Sequence, residues 1–345
     1  AVDIPAMGDN DFDYSEGYLQ YGDIPTFRIY DVSEDLIYIA MPNENPDEDY
    51  GFADTYIYFV DELDGMIRYE IELDKIANLV SFYTLPADRS IENIVGEHVG
   101  NIFAVLGEGE ATSYLDGQWI GTLQEFDLES GYWIRVNEPS VTLSDLGIGF
   151  DPRREYNLNS GTNLISFSDM GSADISTSIP DEVEDLFVHI FTEGKAAINT
   201  EDGWVGSLTT FDEGTGYWFD VSEDLSFSYE YGSMTRSKIN YYVEELPTSS
   251  AFKVYQSPHQ AFYFVDTITL DEGFVEDGDW LLSYNGTVLT GIRQWQGVMI
   301  DIPTMGFSEV TPGYFQEGEI PTFKLLQHST GEYIPLGGDI QPWSE

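Results

Sequence analysis

The chain carries two repeats, one nested inside the other, and any fold it adopts must satisfy both. Asn78-Leu79-Val80-Ser81-Phe82 returns as Asn163-Leu164-Ile165-Ser166-Phe167, Trp119-Ile120-Gly121-Thr122-Leu123 as Trp204-Val205-Gly206-Ser207-Leu208, and Gly131-Tyr132-Trp133 as Gly216-Tyr217-Trp218. The offset is a constant 85, from 78 to 163, with no net gap between first and last match. Outside this pair, Asp3-Ile4-Pro5-Ala6-Met7-Gly8 returns as Asp301-Ile302-Pro303-Thr304-Met305-Gly306. Gly22-Asp23-Ile24-Pro25-Thr26-Phe27 likewise returns as Gly318-Glu319-Ile320-Pro321-Thr322-Phe323. The order is A-B-B-A, one period of a tandem array plus a remainder, and arrays of this kind reach, display or assemble more often than they catalyse.

Strand signals dominate. Thr26-Phe27-Arg28-Ile29-Tyr30, Thr55-Tyr56-Ile57-Tyr58-Phe59-Val60 and Ala261-Phe262-Tyr263-Phe264-Val265 are rich in aromatic and β-branched residues. Asn285-Gly286 between apolar runs signals a hairpin, because both central residues of its turn must accept positive φ. Within the B unit, Leu79, Val80 and Phe82 read as a buried strand, with Trp119 and Leu123 on a second one after an Asp116-Gly117 turn. In Gly131-Tyr132-Trp133-Ile134-Arg135-Val136, Tyr and Ile are expected on one face against Trp and Val on the other. The recurring Gly121 and Gly131 mark a bulge or a close backbone approach beneath an aromatic ring. Helix is confined to Ser90 to Val95, with Ser90 as N-cap, and to Ile179 to Leu186, whose Pro180-Asp181-Glu182 suits a first turn; these two occupy equivalent places.

The expected fold is therefore all-β: tandem small β-sandwich or barrel modules with minor short helices. Residues 1–75 form a partial A module plus connector, 76–146 the first B repeat, 147–232 the second, and 233–345 a full A module. The first A copy opens in mid-motif. Asp279-Trp280-Leu281-Leu282-Ser283-Tyr284, onward to Val298, has no counterpart before Asp3, so Ala1 reads as a fragment boundary. A native terminus at Ala1 would instead leave an incomplete sheet there, open to a neighbouring chain and to head-to-tail filaments.

These strings are similar to tandem modules in very large secreted, surface or virion structural proteins of marine bacteria and their phages. The Asn-Leu-Val/Ile-Ser-Phe, Trp-Ile/Val-Gly-Thr/Ser-Leu and Gly-Tyr-Trp strings carry the resemblance for the B unit. Asp279-Trp280, Gly291-Ile292-Arg293-Gln294-Trp295, Asp301-Ile302-Pro303 and Gly318-to-Phe323 carry it for the alternating A unit. The resemblance covers most of the chain; it implies architecture and an extracellular or cell- or virion-surface location, and transfers no catalytic residue.

Composition narrows the partners. With 63 acidic against 13 basic residues, the formal charge is −50, which repels nucleic acid and anionic membranes. The charge suits a saline or divalent-rich medium, where a Debye length of roughly 4 Å screens self-repulsion. Hydrophobic content of 42% is ample for packed cores. There is no cysteine, hence no disulfide or thiol chemistry. No apolar run approaches the ~18 residues of a membrane span. Expected partners are further copies of the chain, neighbouring surface proteins, and glycans.

No enzymatic constellation stands out. His98, His189, His259 and His328 do not recur at equivalent places, and Gly-x-Ser-x-Gly and phosphate-cradling loops are missing. Gly107-Glu108-Gly109 reads as a turn. The metal candidate is the loop from Asp9 to Glu16, in which Asp9, Asp11, Asp13 and Glu16 offer alternating oxygen ligands suited to Ca²⁺. It lacks the EF-hand glycine, and the equivalent loop, Phe307 to Pro312, has lost most of the carboxylates. Trp119/Trp204 and Trp133/Trp218 recur strictly, as core residues do, which leaves Trp280 and Trp295 as the place for a sugar site. The function expected is a non-enzymatic structural array acting as spacer, adhesive or assembly subunit; the alternative is a glycan- or surface-binding accessory region of a large secreted hydrolase.

Overall fold

A computed structural model describes residues 4–9, 12, 15–32, 36–42, 51–53, 56–60, 63–74, 76–138, 140–230, 252–270 and 273–344. They form twenty-four strands and three helices of four or five residues, an all-β protein built of several small sheets. The first A unit contributes β1 (Phe27–Asp31) and β2 (Leu36–Pro42), followed by the long β3 (Leu63–Leu73). The first B repeat holds β4 (Ala77–Ser81), α1 (Ile91–Val95), β5 (Ile102–Gly107), β6 (Glu110–Leu115), β7 (Gln118–Gly121), β8 (Gly131–Val136) and β9 (Val141–Gly147). The second opens with β10 (Tyr156–Leu158), β11 (Gly161–Ser166), β12 (Ser172–Asp174), α2 (Ile175–Ser178) and α3 (Asp181–Glu184). It continues through β13 (Phe187–Thr192), β14 (Lys195–Thr200), β15 (Gly203–Gly206), β16 (Thr210–Asp212), β17 (Gly216–Val221) and β18 (Leu225–Phe227). The last A unit holds β19 (Gln260–Val265), β20 (Trp280–Asn285), β21 (Val288–Gln294), β22 (Ile300–Met305), β23 (Thr322–Leu326) and β24 (Tyr333–Leu336).

The 85-residue offset is obeyed strand by strand. The first B repeat has a five-stranded sheet in the order β4-β8-β5-β6-β7, the second β11-β17-β13-β14-β15. Leu79 opposes Trp133 as Leu164 opposes Trp218, and a bulge interrupts β5 between Ile102 and Ala104 as it interrupts β13 between Phe187 and His189. The β6–β7 turn falls on Asp116-Gly117, both at positive φ, as a tight hairpin with right-twisted strands requires. A Cβ on Gly121 would lie 2.1 Å from the Ala111 carbonyl oxygen, and one on Gly206 2.2 Å from that of Ala196. This recurring glycine therefore admits a crossing backbone rather than an aromatic ring.

Each five-stranded sheet is one wall of a sandwich-like core. In the first repeat Phe82, Tyr132, Ile134 and Val136 pack against Tyr69, Ile71 and Leu73 of β3, Leu143 of β9 and Ile91, Ile94 and Val95 of α1. Val136 thus shares the face of Tyr132 and Ile134, correcting the expected alternation; Trp133 turns to the other side. In the second repeat Phe167, Phe211, Tyr217 and Phe219 pack with Tyr156 and Phe227 from the β10–β18 pair. Ser90 caps α1 by accepting a hydrogen bond from Asn93 N at 3.3 Å. The helix in the equivalent place is α2, capped by Asp174, and α3 after Pro180 falls where the first repeat has a single 3₁₀ turn, Gly96–His98.

Two sequence expectations shift. Residues 56–60 form no strand despite their β-forming composition. At Asn285, the residue itself pairs with Val288, so the two-residue turn is Gly286-Thr287 with Gly286 at φ 60°. The glycine occupies the first central position, the primed turn in which only one residue needs positive φ.

The two B repeats pack on each other by an approximate twofold exchange. The Glu108 carboxylate accepts a hydrogen bond from Leu164 N (2.8 Å), and Glu193, its equivalent, accepts one from Leu79 N (3.2 Å). Ser81 N donates to Gly214 O and Ser166 N to Glu129 O, both at 2.9 Å. Bridges join Val80 to Thr215 and Ser130 to Ile165. Leu79, Leu164, Trp133 and Trp218 fill the centre. These backbone and glutamate contacts come in mirrored pairs, the signature of an isologous interface.

Candidate functional site

Of the expected metal ligands, Asp9 and Glu16 are described, and Asp11 and Asp13 lie outside the described residues. Asp9 is engaged as a loop brace: its Oδ1 accepts from the buried Ser15 hydroxyl at 2.9 Å, and its N–H donates to Leu19 O. Glu16 is exposed. In the last A unit the same hub is made by hydroxyls alone, with Thr311 Oγ1 accepting from Ser308 N at 2.8 Å. Among the described residues, no three His, Asp or Glu side chains converge at metal-binding distance.

The four histidines stay apart. His189 Nδ1 lies 3.4 Å from Asp220, yet burial holds its pKa below the usual value against the pull of that carboxylate. His328 serves through its backbone, donating to the buried Asp279, which also accepts from Glu276 N.

Trp280 and Trp295 are 5% and 7% exposed and belong to the core of the last A unit, so neither offers a face to a sugar. An open groove of about 700 Å³ lies nearby instead, lined by Tyr255, Tyr284, Tyr333, Lys253 and Lys324 among others. Lys324 Nζ sits 4.5 Å from the centre of the Tyr284 ring, and Lys253 Nζ 4.5 Å from that of Tyr255. Burial first, and then the neighbouring Tyr333, raises the Tyr284 pKa, so the phenol stays neutral over the physiological range. Among the described residues no carboxylate comes within ion-pair distance of either ammonium, in a chain with 63 acids. Such a surface can take an anion that also presents an apolar face. A sequence clue existed: Lys324 answers to Arg28, a basic residue kept in both A units of a chain with only 13. Lys253 gave none, because it lies in a stretch with no second copy.

The remaining sites are where units meet. β3 pairs with β2 through Leu63 to Met66 and with β9 through Ile67 to Leu73, so one strand belongs to the first A unit and to the first B repeat together. Arg154, buried between the B repeats, donates to Leu128 O at 2.7 Å and faces Glu129 at 3.3 Å. Between the second B repeat and the last A unit lies a fully buried ion pair. Arg293 Nη2 donates to Asp301 Oδ2 at 2.9 Å and also to Gly194 O. Asp301 Oδ1 accepts from Ser207 N at 2.6 Å, and Gln260 spans the same seam by donating to Thr192 O and accepting from Gly194 N. Phe191 and Phe262 pack beside it with ring centres 5.7 Å apart and planes tilted by 50°.

No protein-family model, curated protein or solved structure matches the chain.

Proposed function

We propose that this chain is a length of rigid, non-enzymatic structural array from an extracellular, cell or virion surface, serving as spacer, adhesive or assembly subunit. One observation carries the reading: each junction between successive units is a packed contact, made by a shared strand, a twofold interface and a buried ion pair. Interfaces of this kind hold neighbouring units in fixed register, which is what a spacer needs and a catalyst does not. The acidic shell discourages nonspecific contact, and its self-repulsion is screened in salt. Secreted and virion proteins of marine bacteria and phages, whose modules these motifs resemble, supply the setting. Small-angle scattering of the full chain at roughly 0.5 M NaCl, where screening is short-ranged, tests the reading. A single rigid particle is expected; a profile that needs independently moving units would overturn it.

A second reading rests on the groove of the last A unit. Two ammonium groups without carboxylate partners among the described residues, set over tyrosine rings, favour an acidic glycan whose apolar ring faces stack while its carboxylates or sulfates meet Lys253 and Lys324. Saturable binding of a uronate or sulfated oligosaccharide, lost in a K253A/K324A variant, is the expected result; binding unchanged in that variant would sink it.

A further inference from the structure

The two B repeats meet through faces that are copies of each other, so each face carries the shape and the bonding pattern that its own copy requires. The contacts reduce to equivalent positions. Glu108 accepts from Leu164 N and Glu193 from Leu79 N, which at the offset of 85 is one contact made twice. The bridges Val80 to Thr215 and Ile165 to Ser130 are likewise one pair, as are the bonds Ser81 N to Gly214 O and Ser166 N to Glu129 O. Apart from the two glutamates these groups are backbone, so the substitutions that separate the repeats leave the pattern intact.

Two glycines set how closely the faces approach. A Cβ on Gly131 would lie 2.8 Å from Leu164 Cδ1 and 3.2 Å from Ile165 O. One on Gly216, its equivalent, would lie 2.8 Å from Val80 O and 3.3 Å from the Cα of Gly131. All of these atoms belong to the opposite repeat. Neither glycine has positive φ, so the backbone at each position would accept an alanine, and it is the other repeat that excludes one. Leu79, Trp133, Leu164 and Trp218 close the centre. Phe191, larger than its equivalent Leu106, stacks on Trp218 of its own repeat with the planes 15° apart. The second repeat is also self-sufficient. Every residue of its core, from Tyr156 to Tyr229, is its own, whereas the core of the first draws on Leu36 and Met170 from outside.

We infer that this face is a self-recognition surface whose partner is a second B repeat, of the same chain or of another copy, so that the second B repeat alone forms a symmetric homodimer. In that dimer each Glu193 accepts from Leu164 N of the other protomer, each Ser166 N donates to Gly214 O, and the two Gly216 residues meet at the axis. Within one chain the repeats satisfy each other. A B repeat parted from its neighbour takes a partner from a second chain, which links chains side by side through an isologous contact. The inference goes beyond the array reading and does not rest on it.

The test is sedimentation of residues 154–230 over a range of concentrations in saline buffer, with near-ultraviolet circular dichroism to follow the fold. A reversible monomer–dimer equilibrium is expected. Gly216→Ala should weaken it at least ~100-fold, because a symmetric interface meets the added methyl twice and overpacking is costly at each place. The spectrum of its monomer should match that of the wild-type monomer. Glu193→Ala should weaken the dimer at least ~10-fold, by removing two charge-assisted hydrogen bonds. A fragment that stays monomeric at every concentration, folded or unfolded, overturns the inference. So does a dimer that Gly216→Ala leaves intact, which would be held by another surface, such as the one around Phe191 that the last A unit covers in the full chain. None of these results touches the rigid-particle scattering of the full chain on which the array reading stands.

Discussion

The first and last A units share a motif and differ in what lies over it. Ile4 and Met7 occupy the places of Ile302 and Met305, yet one pair faces solvent and the other is sealed under β19. The Ile-Pro-x-Met-Gly string therefore encodes a backbone crossing and a seat for one aromatic ring; it does not by itself encode burial. Burial comes from Gln260 to Gln294, a stretch with no second copy in the chain. Hydrophobic residues are thus placed by the frame and rewarded only where the cover is present.

The largest expected effect lies at the seam the first A unit does not share. Arg293→Ala would leave the Asp301 carboxylate buried without its cation, and breaking such a pair typically costs about 3–5 kcal/mol. Arg28→Ala on the exposed edge strand should stay within about 0.5 kcal/mol. Urea unfolding of the full chain compares them; near-equal midpoints would mean that the Arg293–Asp301 pair adds no stability at this seam. The contrast of burial is sharpened one step below. Ile302→Ala removes a sealed side chain and should cost about 2–5 kcal/mol, whereas Ile4→Ala should be nearly silent. Equal losses would show that Ile4 is covered in solution.

Much of this was legible in the sequence, and the part that was not has a physical pattern. A repeat reveals equivalence, so the five-stranded sheet of the second B repeat could be laid on that of the first, down to the bulge before His189 and the backbone crossing at Gly206. Equivalence does not reveal contact. Glu108 and Glu193 recur at the constant offset, but nothing in that recurrence says that each reaches the other repeat. The same holds for Trp133, whose strict spacing suits a module core as well as an interface. Residues 56–60 show the converse failure: aromatic and β-branched side chains favour a strand, but a strand also needs a neighbouring edge. The tyrosine and lysine groove was hidden because its walls come from segments far apart in sequence, while the conspicuous Trp280 lies in the core beside it and Trp295 in a separate core cluster.

Between the B repeats, the smallest predicted difference is the most local. Trp204 Nε1 donates to Glu184 Oε1 at 2.7 Å, and Glu184 is the last residue of α3, where the first repeat has only the 3₁₀ turn Gly96–His98. The equivalent position there is Val99, so the buried Nε1 of Trp119 has no acceptor among the described residues. Replacing tryptophan by phenylalanine removes the N–H in both cases, along with part of the ring. Trp204→Phe also abandons a hydrogen bond to a carboxylate, which contributes about 1 kcal/mol or somewhat more, whereas Trp119→Phe removes a donor whose burial was uncompensated. The second repeat should therefore lose about 1 kcal/mol more than the first, read as the difference in urea midpoint at constant slope. If Trp119→Phe proved the costlier change, the Trp119 N–H would have an acceptor in solution, and the two repeats would be closer in structure than α3 makes them.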